Sequence, residues 1–324
     1  MKGSVATTQT QQFAGEHAGR LLRHLAFQIN QTIKSCTPDS VHDVRVAIRR
    51  FTQALAVFKP CFPGKEIRKI RRRLKGVMKA AGQVRDCDVA LKLLAKSQMT
   101  DNAQFQAKVR SRRKEAARLL VVELKSLSER QSSIKWRAAL EAALARNGDN
   151  FGGTAIDVTA RRTLRRMMKD FFQHGNEAAG VKASAEDLHG FRLAAKKFRY
   201  SLELFAPLYG SSWDKGLAQI KAAQTLLGDV NDCASVAVLV SELGGSDQLA
   251  ARLKKRQRRK TEEFRQYWDA EFRQGEQLRS WMDTLRLRAM KKPVARAVSA
   301  SSAAPRKPAS TAKRPAAMAA SAGS

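Results

Sequence analysis

An all-α fold built by internal duplication is what this sequence predicts, and three observations carry that expectation. Apolar residues recur at helical spacing along most of the chain; Val44, Ile48, Phe51, Leu55 and Phe58 gather on one side of a helix at about 100° per residue. Alternating runs rich in Val, Ile and Thr between hairpin turns are missing, so almost no sheet is expected. Third, the stretch His42–Phe62 returns as His189–Tyr209 at an offset of 147, with seven of 21 paired positions identical. The seven are His42/His189, Arg45/Arg192, Ala47/Ala194, Phe51/Phe198, Leu55/Leu202, Phe58/Phe205 and Pro60/Pro207. Downstream the offset slips to 146 and still aligns Lys75 with Lys221, Gly82 with Gly228, Asp86 with Asp232, and Arg112-Arg113-Lys114 with Arg258-Arg259-Lys260. Separate blocks in one order imply a repeat of about 146 residues.

At 324 residues the chain can bury a full core, and a pair of fused domains is the natural prior. The unusual quantity is a net charge of +32, with pI near 10.8. A field of that size repels itself in the compact state unless a polyanion relieves it. Phosphate chains, nucleic acids and anionic membranes are the partner classes it admits. Cys36, Cys61, Cys87 and Cys233 form no Cys-x-x-Cys, which suits a reducing cytosol and argues against a disulfide framework or a structural zinc site. The opening MKGSVATTQT lacks an apolar signal core, and no segment approaches the ~20 apolar residues of a membrane span. A soluble cytoplasmic protein is expected.

Residues 1 to about 10 are polar and read as loose; Phe13 to about Ile33 reads as a helix. After a break at Ser35–Ser40 comes the first copy of the repeated helix, with His42, Arg45 and Arg49 on the side opposite its apolar face. The second copy sets Phe191, Ala195, Phe198, Leu202 and Phe205 against His189, Arg192 and Lys196. Pro60 and Pro207 are expected to stop both helices, since proline lacks an N–H and clashes with the preceding turn. Glu66–Ala81 then reads as a helix with core residues Ile67, Ile70, Leu74, Val77 and Met78 and a basic arc of Arg68, Arg71, Arg72, Lys75 and Lys79. Gly82 is expected to end it, with Val84-Arg85-Asp86 opening another helix to about Lys96. Basic amphipathic segments at about 103–128 and 134–146 follow, and 147–153, rich in Gly, Asn and Asp, reads as a linker.

The second half repeats this plan: an opening helix bearing Arg161, Arg162, Arg165, Arg166 and Lys169, the repeated helix, Trp213–Leu227, then Gly228 and an apolar helix to Val240. From Pro293 the composition shifts to Ala, Ser, Pro and scattered cations, a tail expected to be disordered because it cannot bury enough apolar surface. Its five positive charges, taken from +32, leave +27 on the folded part. The expected domain is 10–292, made of repeats 10–148 and 154–292, followed by the tail 293–324.

His42-Asp43 invites a metal site, but helix neighbours point about 100° apart and the second copy reads His189-Gly190, so no metal is expected. Asp86 and Asp232 read as helix N-caps or internal partners of basic residues. No Walker loop, Gly-x-Gly-x-x-Gly or Ser/His/Asp set is present, and a binder with no cofactor, not an enzyme, is expected. Cations at i, i+3, i+4 and i+7 form a ladder with steps of about 5–6 Å, suited to a thin linear polyanion. Single-stranded nucleic acid would need stacking rings, and the cationic faces of the repeated helices carry none.

His42-x-x-Arg45-x-x-x-Arg49-Arg50, with Arg71-Arg72-Arg73-Leu74 and Val84-Arg85-Asp86-x-Asp88-Val89, resembles the N-terminal half of a CHAD domain, the conserved-histidine α-helical domain. His189-x-x-Arg192-x-x-x-Lys196-Lys197-x-Arg199-Tyr200-x-x-Glu203 and Gln224-x-x-Leu227-Gly228-x-x-Asn231-Asp232 resemble the C-terminal half. The resemblance spans roughly residues 10–290. It implies two four-helix bundles related by a pseudo-two-fold axis, a central basic pore that binds inorganic polyphosphate, and association with polyphosphate granules. It also assigns His42, Arg45, Arg49, Arg50, His189, Arg192, Lys196 and Lys197 to the ligand; the basic stripes add Arg72, Lys75, Lys79 and Lys221. Leu217 and Ala218 stand where the first half has Arg71 and Arg72, so the two walls are not expected to be identical. The competing expectation is a nucleoid-associated protein that binds nucleic acid through its outer basic faces and tail.

Overall fold

A computed structural model describes residues 10–96, 103–146, 154–273 and 275–287. The expected linker at 147–153 and the expected tail fall outside the described residues. Ten α-helices are described: α1 (Thr10–Lys34), α2 (Pro38–Val57), α3 (Gly64–Lys96), α4 (Ala103–Glu129), α5 (Ser132–Arg146), α6 (Ile156–Ala179), α7 (Ala185–Tyr209), α8 (Asp214–Leu243), α9 (Asp247–Glu271) and α10 (Glu276–Leu287). No β-strand forms among the described residues. Each half supplies four long helices and a shorter fifth, α5 or α10.

Local chemistry sets the starts of the two repeated helices. The Thr37 hydroxyl accepts from the Ser40 N–H, and Pro38 takes the first turn, where its missing N–H costs nothing. Ser184 and Asp187 form a reciprocal capping box at the start of α7. α2 ends at Val57, ahead of Pro60, as expected. Pro207, by contrast, does not stop α7, which runs to Tyr209 and ends where Gly210 takes φ 55°. Near a helix end the proline forfeits a single backbone bond, and Phe205 and Tyr209, both buried, hold the last turn in place.

A second departure matters more. Gly82 and Gly228 end nothing; α3 and α8 run through them, and α3 is 33 residues and about 50 Å long. An interior glycine costs about 1 kcal/mol relative to alanine. The buried Val77, Ala81 and Val84 around Gly82 outweigh that. Asp86 and Asp232 therefore lie in mid-helix and are not N-caps.

α2 packs against α7, α3 against α8 and α1 against α6, so helices at equivalent places in the two halves meet. One continuous apolar cluster takes in side chains from both halves, and a smaller one joins the distal parts of α3, α4, α8 and α9 through residues such as Leu94, Phe105, Val236 and Leu253. The repeat-equivalent Phe58 and Phe205 pack edge to face at 5.9 Å, with Phe13 at 6.0 and 6.1 Å from them. Gln53 Nε2 donates to Ser201 Oγ at 2.9 Å across the same seam. Within each half the four long helices pack round in turn, α1 on α2, α2 on α3, α3 on α4 and α4 on α1, with α6 to α9 doing the same, and the two cores join across the seam.

Candidate anion-binding site

The core takes the faces of α2 and α7 bearing Val44, Ile48, Phe51 and Phe191, Ala195, Phe198. Arg45 and Arg49, one turn apart, and Arg192 and Lys196, likewise one turn apart, fall on the other side of each helix. That side is not open solvent: all four residues are partly buried. Arg45 reaches α3, where its Nη1 donates to the Met78 carbonyl at 3.3 Å. The same Nη1 passes over α3 at Gly82, where a Cβ would meet it at 3.4 Å, an ordinary contact.

Charges from both halves act on one another here. Burial, then Arg49 and Arg85, depress the Arg45 guanidinium to about 10, and Arg192 of the other half adds to the effect. Arg192 is lowered by burial first, with Arg49 pushing further and Asp232 and Asp86 opposing. Lys196 is the extreme case. Burial and then Arg192, Arg49, Arg45 and Arg199 bring its ammonium down to about 6. Asp86 and Asp232 are raised, each by burial first, while Arg45 pulls against the shift at Asp86 and Arg85 at Asp232. The result is a partly buried cluster with more cations than anions, fed by α2, α3, α7 and α8. Arg192 Nε and Gln224 Nε2 are buried there and on α8 with no hydrogen-bond partner among the described residues, donors still wanting an acceptor.

The residues expected to bind fall into three groups. Arg45, Arg49, Arg192 and Lys196 come together. Exposed His42 stands at the rim, held below the usual imidazole range by partial desolvation and then by Arg85. Arg72, Lys75, Lys79 and Lys221 are exposed; the first three step along α3 in the same line as Gly82 and Asp86, about 21 Å from Arg72 to Asp86. A ladder on the surface thus leads down into the cluster. His189 and Lys197 are exposed on α7. Arg50 has a different occupation: its Nε pairs with Glu203 across the seam at 2.9 Å, and Arg199 approaches the same carboxylate at 3.6 Å while lying over the Tyr200 ring. Arg85 joins the cluster without being among the expected site residues, and of the two roles expected of Asp86 and Asp232, helix N-cap or internal partner of a basic residue, the fold removes the first. The signal that would have placed Asp86 is its register with Arg72, Lys75 and Lys79, visible only once α3 is read as unbroken.

No group of three or more His, Cys, Asp or Glu suited to a metal occurs among the described residues. A cavity of about 180 Å³ between α1 and the α4–α5 turn, lined by Leu22, Ile29, Leu127 and Trp136, shares no residue with the cluster. No described helix is long and apolar enough to cross a membrane.

A family model described as CHAD domain matches residues 16–241. Among solved structures, the crystal structure of the CHAD domain from the plant Ricinus communis is similar at a TM-score of 0.64 and 21% identity, covering 90% of this chain and 96% of that one. PptA from Streptomyces chartreusis is similar at a TM-score of 0.47 and 13% identity, covering 85% and 99%. No curated protein matches.

Proposed function

The chain belongs to the CHAD family, and from that premise we propose that it binds inorganic polyphosphate, without turnover, where α2, α3, α7 and α8 converge. The observation that carries this reading is the surroundings of Lys196: after burial, the charges that weigh most on its ammonium are four arginines from both halves, and the anion that shares its field, Asp232, itself lies among Arg85 and Arg192. Such a group is electrostatically unsatisfied until an acceptor-rich ligand arrives. A condensed phosphate chain offers closely spaced oxygens to arginine forks and to the lysine point charge alike. The ladder of Arg72, Lys75 and Lys79 suits a ligand long enough to reach from surface to cluster. In this reading the two halves form the walls of a basic channel about a pseudo-two-fold axis, the protein resides in the cytoplasm, and polyphosphate granules are the place it would be retained.

Duplex DNA, with one charge per ~1.7 Å of axis and a much greater girth, reaches only outer faces. The deciding experiment pairs Arg45→Glu with Arg192→Glu and measures binding of long-chain polyphosphate and of duplex DNA at physiological salt. Loss of polyphosphate binding with helicity unchanged is expected. Unchanged affinity, or displacement of polyphosphate by equal charge of duplex DNA, would overturn the reading.

A further inference from the structure

Asp86 and Asp232 occupy equivalent places in the two halves, at an offset of 146, on α3 and α8, which pack against each other. Both are partly buried, and neither makes an ion pair within 4.0 Å among the described residues. Each lies in the field of cations from both halves: Arg45, Arg85 and Arg192 for Asp86; Arg85, Arg192 and Lys196 for Asp232. Two carboxylates inside a site built for a polyanion need a reason to be there. We propose that Asp86 and Asp232 are the internal counter-ions of the empty site, so that an incoming phosphate chain competes with them and is bound most tightly when they take up protons. This rests on the polyphosphate reading and adds its regulation.

The groups that face the pair are these. From α2 come Arg45, with Arg49 and His42 behind it; from α7, Arg192 and Lys196. On α3, Arg85 and Asp88 are neighbours, and Asp88 is held by Arg113 of α4 at 2.7 Å. On α8, Asp229 stands one turn before Asp232, with Lys260 of α9 at 3.7 Å from it and Arg256 of α9 beside Cys233. Asp88 and Asp229 therefore have their own cations, whereas Asp86 and Asp232 share those that the ligand would use. Burial raises both carboxyls above the usual range, with Asp232 adding to the shift at Asp86 and Asp229 at Asp232, and phosphate charge brought among the same arginines raises them further. A proton passes from solvent to carboxylate as the ligand enters, and affinity rises as pH falls.

Asp86→Asn and Asp232→Asn, singly and together, test this without changing side-chain shape. Long-chain inorganic polyphosphate is the probe, titrated by calorimetry at pH 7.5 and pH 5.5 in buffers of different ionisation heat, which count protons taken up. In the double variant, binding at pH 7.5 is expected to tighten at least about tenfold, as like charge leaves a site of low effective permittivity. Weaker or unchanged binding at pH 7.5, with the far-UV spectrum intact, would mean that the aspartates position the arginines instead, and would overturn the proposal. Should the variants fail to fold, the proton count decides on a His42→Gln/His189→Gln/Lys196→Met background, where remaining uptake at pH 5.5 belongs to carboxylates and its absence refutes the idea. A wild-type chain that binds no polyphosphate at either pH sinks the underlying function itself, a result distinct from both.

Discussion

Replacing Lys196 by Met is expected to stabilise the free protein while weakening its hold on polyphosphate. In the folded chain Lys196 titrates near 6, against the 10.5 of a free lysine. At pH 7.5 the unfolded chain holds that proton and the folded chain does not. Folding must therefore strip it, at 1.36 kcal/mol per unit across the three units between 7.5 and 10.5, about 4 kcal/mol. Lys196 keeps some contact with solvent, which screens its neighbours and brings the figure to about 2 kcal/mol. The sign follows from the depressed pKa: wild-type stability rises with pH between about 6 and 10.5, because the unfolded state binds more protons there. Met has similar length and no charge, so the variant lacks this slope. Urea unfolding followed by circular dichroism at several pH values reads both quantities. The expected pattern is a gain of about 2 kcal/mol at pH 7.5, roughly 4–8 °C in Tm, that shrinks toward pH 10. A variant no more stable than wild type at pH 7.5, or a gap that ignores pH, would refute the electrostatic account of the site.

Polyphosphate affinity of the wild type is expected to fall by up to about tenfold per unit from about pH 7 to 9, since bound Lys196 regains its proton, and Lys196→Arg, which stays charged, should flatten that fall in calorimetric titrations. At Gly175 a Cβ would overlap the Trp268 ring, so Gly175→Ala is expected to cost about 3 kcal/mol by urea unfolding. A double-mutant cycle on Arg50 and Glu203 should return a coupling under about 1 kcal/mol, because the side chains are 40% and 29% exposed; a much larger value would make this seam pair a principal bond between the halves. Phe205→Ala should remove about 3–5 kcal/mol, and scanning calorimetry should still show one transition, because the Phe13–Phe58–Phe205 contacts tie both halves into one core.

Helix existence, the faces of α2 and α7, and the pairing of one repeat with the other were determined by the sequence alone, because a 3.6-residue period is a local property that each segment carries by itself. The cationic identity of Arg45, Arg49, Arg192 and Lys196 was legible for the same reason, as was the ladder of Arg72, Lys75 and Lys79. Tertiary structure decided the rest. Gly82 and Pro207 look like breaks when weighed by local propensity, yet the burial around Val77, Ala81 and Val84, and of Phe205 and Tyr209, outweighs costs of one to a few kcal/mol. Arg50 reads as one more ligand-facing arginine until the fold brings Glu203 to it from 153 residues away. Asp86 and Asp232 read as caps or as internal partners of basic residues, and only the continuity of α3 and α8, which brings both into one field with Arg85 and Arg192, removes the first reading. Which charges share a site depends on distances between helices remote in sequence, and a Coulomb interaction that falls with distance and rises with burial has no value until those helices are packed.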